Sequence, residues 1–239
     1  GQVFKGSSYE FPVIGSTENL KNPRLSDMEA FYQKYYVANN MALILCGKFK
    51  EKDVLPLLEK TFGRIHNGPI PQRQPINLAD FSPEKTIKVK IPFPLIKVSA
   101  LLFRGPTPRN HDYTALQIAM RLLSNSNESG LIDSLVSHHS IMYGMAASEQ
   151  ISMMREVGLI GLAAVPNLPF GSKRKAERLL WQQINKLKEG DFSTESFEAA
   201  KTEYQKMQEQ QLENLQTRIT LMTNCYLNGM NWNDYLHQI

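Results

Sequence analysis

The chain has few of the features that identify disulfide-rich or membrane-spanning proteins. Its 239 residues include only two cysteines, Cys46 and Cys225, which lie far apart, so no disulfide framework is indicated and the cellular compartment stays undecided. No apolar run is long enough to cross a bilayer, and none of these residues is expected to form a signal peptide. We therefore predict no membrane span in this chain.

Neither sign of charge dominates the chain. The formal net charge is +4, and the basic residues are scattered along the chain. The densest basic run is Lys173-Arg174-Lys175, followed by Arg178, and we interpret it as the solvated first turn of a helix. Because no nucleic-acid-binding motif accompanies this run, we predict no nucleic-acid partner.

Motifs for hydrolytic chemistry are missing as well. A zinc peptidase needs two histidines one helical turn apart, a carboxylate to complete the coordination, and a glutamate that activates water. The only close histidine pair, His138-His139, is adjacent, so on a helix the two rings would point about 100° apart. There is no G-x-S-x-G nucleophile motif and no Gly-rich phosphate loop. We predict no catalytic residue, no metal site and no cofactor within this chain.

The most informative segment that is present covers residues 22–65, NPRLSDMEAFYQKYYVANNMALILCGKFKEKDVLPLLEKTFGRI. Ser26 and Glu29 form a capping-box pattern, which predicts the start of an amphipathic helix. The apolar run at 41–46 has the length of a buried strand. Residues 50–62 then carry apolar side chains at helical spacing. The segment is therefore predicted to fold as helix, strand and helix.

A proline-rich stretch divides the chain. Prolines at positions 69, 71, 75 and 83 disfavour regular structure, which predicts a linker over residues 67–85. The linker separates a first domain, residues 1–66, from a second, residues 86–239. In the second domain, the patterns predict strands at 87–91, 98–103, 142–148 and 158–165, and helices at 112–123, 131–136, 172–188, 194–226 and 232–239. This order indicates an α+β fold in which helices pack on one face of a sheet.

Residues 22–65 resemble, nearly residue for residue, a segment of the insulinase/pitrilysin family of zinc metallopeptidases. The resemblance implies an antiparallel-rich sheet, with residues 1–66 ending one peptidase-type α/β domain and residues 86–239 forming the following non-catalytic domain. It also implies that the zinc ligands lie elsewhere in a longer parent protein, from which this chain is a segment. The implied partners are a peptide substrate of the parent, the zinc-bearing domain and the opposite half, in the same chain or as a separate subunit.

The same resemblance selects one weak substrate-binding candidate, Tyr143. Family members often place an arginine and, seven residues later, a tyrosine where the pair contacts substrate backbone. Here the tyrosine position is Tyr143, but the arginine position is Val136, which cannot donate a hydrogen bond to a carbonyl. The pair is therefore incomplete, and packing of Tyr143 at the start of its strand is the simpler interpretation.

Three functions are compatible with the sequence. The first is a chamber-forming, non-catalytic segment of a zinc endopeptidase, inactive when isolated. The second is a scaffold or assembly subunit of a family member that has lost catalysis, with which Val136 is compatible. The third is a peptide-binding module that adds a strand at a sheet edge, for which the face carrying Lys88 and Lys90 is the candidate.

Overall fold

The computed structural model describes residues 4, 7–11, 14–21, 23–72, 76, 86–88, 96–148 and 155–237. The chain divides into two compact units, residues 1–89 and 90–239. The linker predicted at 67–85 lies mostly outside the described residues, so the predicted domain boundaries stay a prediction. Of the strand predicted at 87–91, only residues 87 and 88 are described, and neither is in a strand. Lys90 lies outside the described residues.

The first unit consists of short helices joined by extended chain. Its elements are a 3₁₀ helix at Ser8–Glu10, α1 (Thr17–Lys21), α2 (Leu25–Tyr35), a 3₁₀ turn at Ala38–Asn40 and α3 (Glu51–Phe62). The turn is tied to the segment after α3, because the Asn39 side chain both donates to the Gly68 carbonyl at 2.8 Å and accepts from the Gly68 N–H at 3.1 Å. The Val37 side chain is buried beside Gly68, where a Cβ would lie 2.6 Å from Val37 Cγ1.

Two predictions for this unit are wrong in detail. Helix α2 begins at Leu25 after Arg24, so Ser26 lies inside the helix and does not cap it. Residues 41–46 belong to no helix or strand, and Met41, Leu43 and Leu45 are each more than 40% exposed. An apolar run becomes a strand only when it pairs in register with a second backbone segment, and among the described residues no strand pairs with residues 41–46.

The second unit is built on a three-stranded antiparallel sheet. Its strands are β1 (Ser99–Gly105), β2 (Tyr143–Ser148) and β3 (Gly158–Val165), in the spatial order β1-β3-β2. Leu101 pairs with Leu162, which pairs in turn with Ala146, so this row of side chains across the three strands is apolar. The prediction of an α+β fold with an antiparallel-rich sheet is confirmed.

Three helices, α4 (Tyr113–Leu123), α5 (Leu131–Ser137) and α6 (Lys173–Glu189), pack on one face of this sheet. Between them and the sheet lies the main core, whose buried members are Met120, Leu123, Ile132, Ile141, Leu162, Ala164, Ala176 and Leu180. Helix α6 begins where Ser172 Oγ accepts the Lys175 N–H, and it ends at Gly190, which has φ +72°. The helices therefore cover one face of the sheet, as the sequence predicted.

The C-terminal helices form a second core. The single helix predicted at 194–226 is two helices, α7 (Thr194–Glu213) and α8 (Leu215–Asn228), followed by α9 (Trp232–His237). The break occurs because the Asn214 side chain accepts the Thr217 N–H at 3.0 Å and so starts a new helix. Tyr113, Leu221, Cys225 and Tyr235 are the buried residues of this second core. Among the described residues, no helix combines the length and apolar character that a membrane crossing requires.

The thiol in this second core predicts a loss of stability in alkali. Burial raises the pKa of Cys225 from 9.0 to about 11. As the pH rises above 9, the thiol of the folded state therefore keeps its proton where the thiol of the unfolded chain has lost it. The stability that the buried, protonated thiol contributes is complete below pH 9 and is lost as the pH rises towards 11. We expect the free energy of unfolding to fall across that range.

Urea titrations of the wild type and of Cys225→Ala, each compared with its own value at pH 7, measure this effect. The variant should show the shallower pH dependence, although its stability at pH 7 is lower. Burial also raises the pKa of Tyr235, so part of the alkaline loss should remain in the variant. Equal slopes for the two proteins would contradict the assignment to Cys225.

Candidate functional site

The histidines do not form a metal site in the structure. His138 and His139 follow α5, where His138 Nδ1 lies 2.6 Å from the Ser134 carbonyl oxygen and His139 has φ +54°. His111 pairs instead with its exposed neighbour Asp112 at 3.0 Å. Within the described part of the chain, no group of three or more His, Cys, Asp or Glu side chains could hold a metal ion. The residues described therefore do not fit a catalytic zinc, and no reaction step is assigned to one.

The second face of the sheet carries the other candidate. Residues whose side chains alternate with those of the main core point away from α4, α5 and α6, and we call this surface the open sheet face. Its members are Ala100, Leu102, Arg104, Tyr143, Met145, Ala147, Leu159, Gly161, Ala163 and Val165. Cross-strand pairing places Leu102, Gly161 and Ala147 in one row, and Ala100, Ala163 and Met145 in the next.

The open sheet face is apolar and shallow. Small residues occupy the middle of both rows, and Leu102 and Met145 flank them with 43% and 40% of their surface exposed. Arg104, at one end of β1, is the only charged residue among the ten members. Such a surface can contact apolar side chains of an extended chain without selecting one sequence, since dispersion and burial are not directional.

Tyr143 belongs to this face. It begins β2, pairs with Val165 and is 55% exposed, so its phenol is available at the surface. Val136 lies instead on α5 and packs against the main core on the other side of the sheet. The two positions singled out by sequence are therefore on opposite sides of the sheet and do not form one site.

Exposed apolar side chains also lie beyond one end of the sheet. Met142, which precedes β2, is 44% exposed, and the loop after β3 presents Leu168 at 42% and Phe170 at 95%. The loop is held in place because the Asn167 side chain donates to the His139 carbonyl at 2.7 Å. Sequence reasoning missed both Phe170 and the open sheet face, because alternation in a strand does not reveal which face helices will cover.

The half-buried guanidinium of Arg121 has a structural role. Arg121 on α4 donates to the Gln117 carbonyl at 2.9 Å, and its guanidinium carbon lies 5.0 Å from the centre of the Tyr204 ring on α7. Burial lowers the pKa of Arg121, and the charge of Glu203 opposes that shift. Arg121 thus joins α4 to α7 within the helical layer. Cys225 is equally unsuited to chemistry, since its raised pKa disfavours the reactive thiolate.

Comparison with known proteins identifies the class. The family model described as the peptidase M16 inactive domain matches residues 24–204. This match covers most of the chain, and the chain therefore belongs to that family. The insulinase/pitrilysin resemblance is confirmed, and the chain is a non-catalytic segment of the peptidase family.

Three known proteins are similar to the chain. An Arabidopsis thaliana protein named "Probable mitochondrial-processing peptidase subunit beta, mitochondrial" is 22% identical over 119 residues, which are 49% of this chain and 22% of the relative. A protease from Helicobacter pylori is similar in structure with a TM-score of 0.73 and 17% identity, over 94% of this chain and 55% of the protease chain. A chain of complex III2 from Candida albicans has a TM-score of 0.78 and 18% identity, over 99% of this chain and 57% of that one.

These similarities concern the fold, since the sequence identities are low. The chain also spans only about a fifth to a little over half of the length of these relatives. The activity, substrates and partners of a whole protein are therefore matters for proposal.

Proposed function

We propose that this chain forms part of the wall of a peptide-enclosing chamber in a zinc-dependent endopeptidase, whose zinc site lies outside residues 1–239. The observation that carries the proposal is the open sheet face, which is apolar and has no helix packed on it among the described residues. In this proposal the face contacts unfolded peptide while a zinc-bearing domain cleaves it. We also propose the division into residues 1–66, a linker at 67–85 and residues 86–239.

Membership of the inactive-domain family supports this proposal. A domain of this kind would act together with a zinc-bearing domain and an opposite half, in the same chain or in a separate subunit. The exposed phenol of Tyr143 would then offer a hydrogen bond to the substrate backbone at one end of the open sheet face.

A mutation on the open sheet face tests the role of the wall in the full parent protein. Met145→Glu places a carboxylate on the apolar open sheet face, beside Ala163 of the central strand, where bound peptide would bury it without a partner. We expect kcat/KM for an unfolded peptide to fall about tenfold, which corresponds to about 1.4 kcal/mol of transition-state stabilisation. Fluorogenic peptide hydrolysis and circular dichroism measure activity and folding together.

The matched control is Leu215→Glu, which adds the same charge at an exposed apolar residue on α8. Helix α8 packs on α7 and α9. The control should keep kcat/KM within about twofold of the wild type. Equal activity in the Met145→Glu and wild-type parents would contradict the proposed wall. Metal analysis adds a second check, because one tightly held zinc per isolated chain would place the catalytic centre here.

A scaffold or assembly subunit is the second candidate. The similarity to a chain of complex III2 favours it, as does Val136 at the position where family members often have arginine. The parent gene discriminates between the two candidates. An H-x-x-E-H motif with a later glutamate upstream of residue 1 supports the peptidase, and a parent without this motif supports the scaffold.

A further inference from the structure

Helix α6 carries all of the excess positive charge of this protein. Its 17 residues include six basic and two acidic side chains, a net charge of +4, which equals the formal net charge of the whole chain. Every one of the six cations is exposed. The remaining residues are therefore neutral in sum, so the positive charge is concentrated on one element.

The outer surface of α6 has a defined order. Ala176, Leu180 and Gln183 are buried against the sheet and neighbouring helices. On the opposite side, Arg174, Arg178, Trp181 and Asn185 follow one another at helical spacings of four, three and four residues. We call this line the α6 crest. Lysines lie on both flanks of the crest, at Lys173, Lys175, Lys186 and Lys188.

The cations on α6 have few partners in the protein itself. Lys186 lies 3.8 Å from Asp191, and within the described residues no carboxylate pairs with the other five. Three of the cations stand in the first turn, near the positive end of the helix dipole, where acidic residues are favoured. The Ser172 side chain accepts a backbone N–H at that end, whereas lysine and arginine are donors only and cannot cap it. Their placement costs stability, which is typical of a functional surface.

Trp181 gives the α6 crest an apolar anchor. Its indole meets Phe103 of β1 edge to face, with ring centres 5.6 Å apart, yet 42% of the residue stays exposed. The ring is thus held in position before any partner arrives. Arginine and tryptophan are the residues most enriched at energetically important centres of protein interfaces, whereas lysine is more common at their rims. The crest and its flanks have this arrangement.

We infer that the α6 crest binds an acidic segment of a protein partner. Carboxylates of the partner pair with Arg174 and Arg178, and an apolar side chain packs on Trp181. The apolar side of α6 is committed to the core, so the helix cannot insert into a bilayer as an amphipathic anchor does. A nucleic acid would need a broader basic surface than one helix of about 25 Å on an otherwise neutral protein.

This surface is separate from the proposed chamber wall. Helix α6 packs on β1 and β3 from the side of the main core, whereas the open sheet face is on the other side of those strands. Failure of one proposal therefore leaves the other standing. Variants of the α6 crest should leave peptide hydrolysis by the parent protein unchanged.

Fluorescence anisotropy tests the inference on the full chain. The probe is a fluorescein-labelled peptide of alternating Glu and Leu residues, about as long as α6, titrated at low and at physiological ionic strength. We expect Arg174→Glu with Arg178→Glu to weaken binding about tenfold or more, because two attractive contacts become repulsive. Trp181→Ala should weaken binding about threefold at either ionic strength, since the loss is apolar.

The matched control is Lys201→Glu with Lys206→Glu, which reverses two exposed cations on α7 and changes the net charge equally. It should weaken binding less than about twofold. Equal loss in both double variants, or no binding by the wild type, overturns the inference. Tighter binding to phosphatidylglycerol vesicles or to duplex DNA than to the peptide also overturns it, in favour of a membrane or nucleic-acid surface.

Discussion

Replacing Leu180 with alanine is expected to destabilise the second unit by about 3 kcal/mol, within a usual range of about 2–5 kcal/mol. Leu180 on α6 is fully buried in the main core, which also contains Leu162 and Ala164 of β3. Removal of its terminal carbons loses apolar burial and leaves a cavity that the antiparallel sheet cannot close without distorting its pairing. Both tryptophans, Trp181 and Trp232, lie in the second unit, so urea unfolding followed by their fluorescence reports on it directly.

Leu227→Ala is the control for that measurement. Leu227 lies on α8 and is 48% exposed, so the same truncation should cost less than about 1 kcal/mol. A loss of similar size in the two variants would show that Leu180 does not have the enclosed environment described above.

Replacing Gln208 with leucine should cost about 2–4 kcal/mol. This buried side chain on α7 donates to the Tyr204 hydroxyl at 2.7 Å and accepts from the Tyr235 hydroxyl at 3.2 Å, which ties α9 to α7. Leucine is of similar size, so the main effect is the loss of a partner by two buried hydroxyls, each worth about 1–3 kcal/mol. Urea unfolding measured by tryptophan fluorescence and by circular dichroism gives the change in free energy.

A rescue experiment separates the polar cause from a packing defect. Combining Gln208→Leu with Tyr204→Phe and Tyr235→Phe removes the stranded hydroxyls, so the triple variant should regain most of the lost stability. Gln205→Leu, at an exposed position of the same helix, should change stability by less than about 0.5 kcal/mol. A triple variant less stable than Gln208→Leu would contradict this explanation.

Hydrophobic periodicity predicted much of the second unit because the apolar faces of its strands and helices pack against one another. Strands β2 and β3 and helices α5 and α6 lie within one or two residues of their predicted ends, and their apolar faces meet in one core. The run at 41–46 has an equally apolar pattern, but no described strand pairs with it. A sequence reveals hydrophobicity, whereas strand formation also needs a second backbone in register.

The break between α7 and α8 was missed for a different reason. Apolar spacing continues through Asn214, so the pattern alone predicts one long helix. The available signal was Asn214 itself, which is a strong N-cap residue with Thr217 three positions later. Tyr143 was found by resemblance to a family motif, and its exposure on the open sheet face followed only from the pairing with Val165.

The two longer helices of the first unit expose bulky apolar side chains. Helices α2 and α3 bury none of their residues, and Phe31, Tyr32 and Leu57 are each more than half exposed. Helices of 11 and 12 residues gain little stability from propensity alone. Positions that co-vary with Phe31 and Leu57 among homologues would therefore map any surface that packs against these side chains.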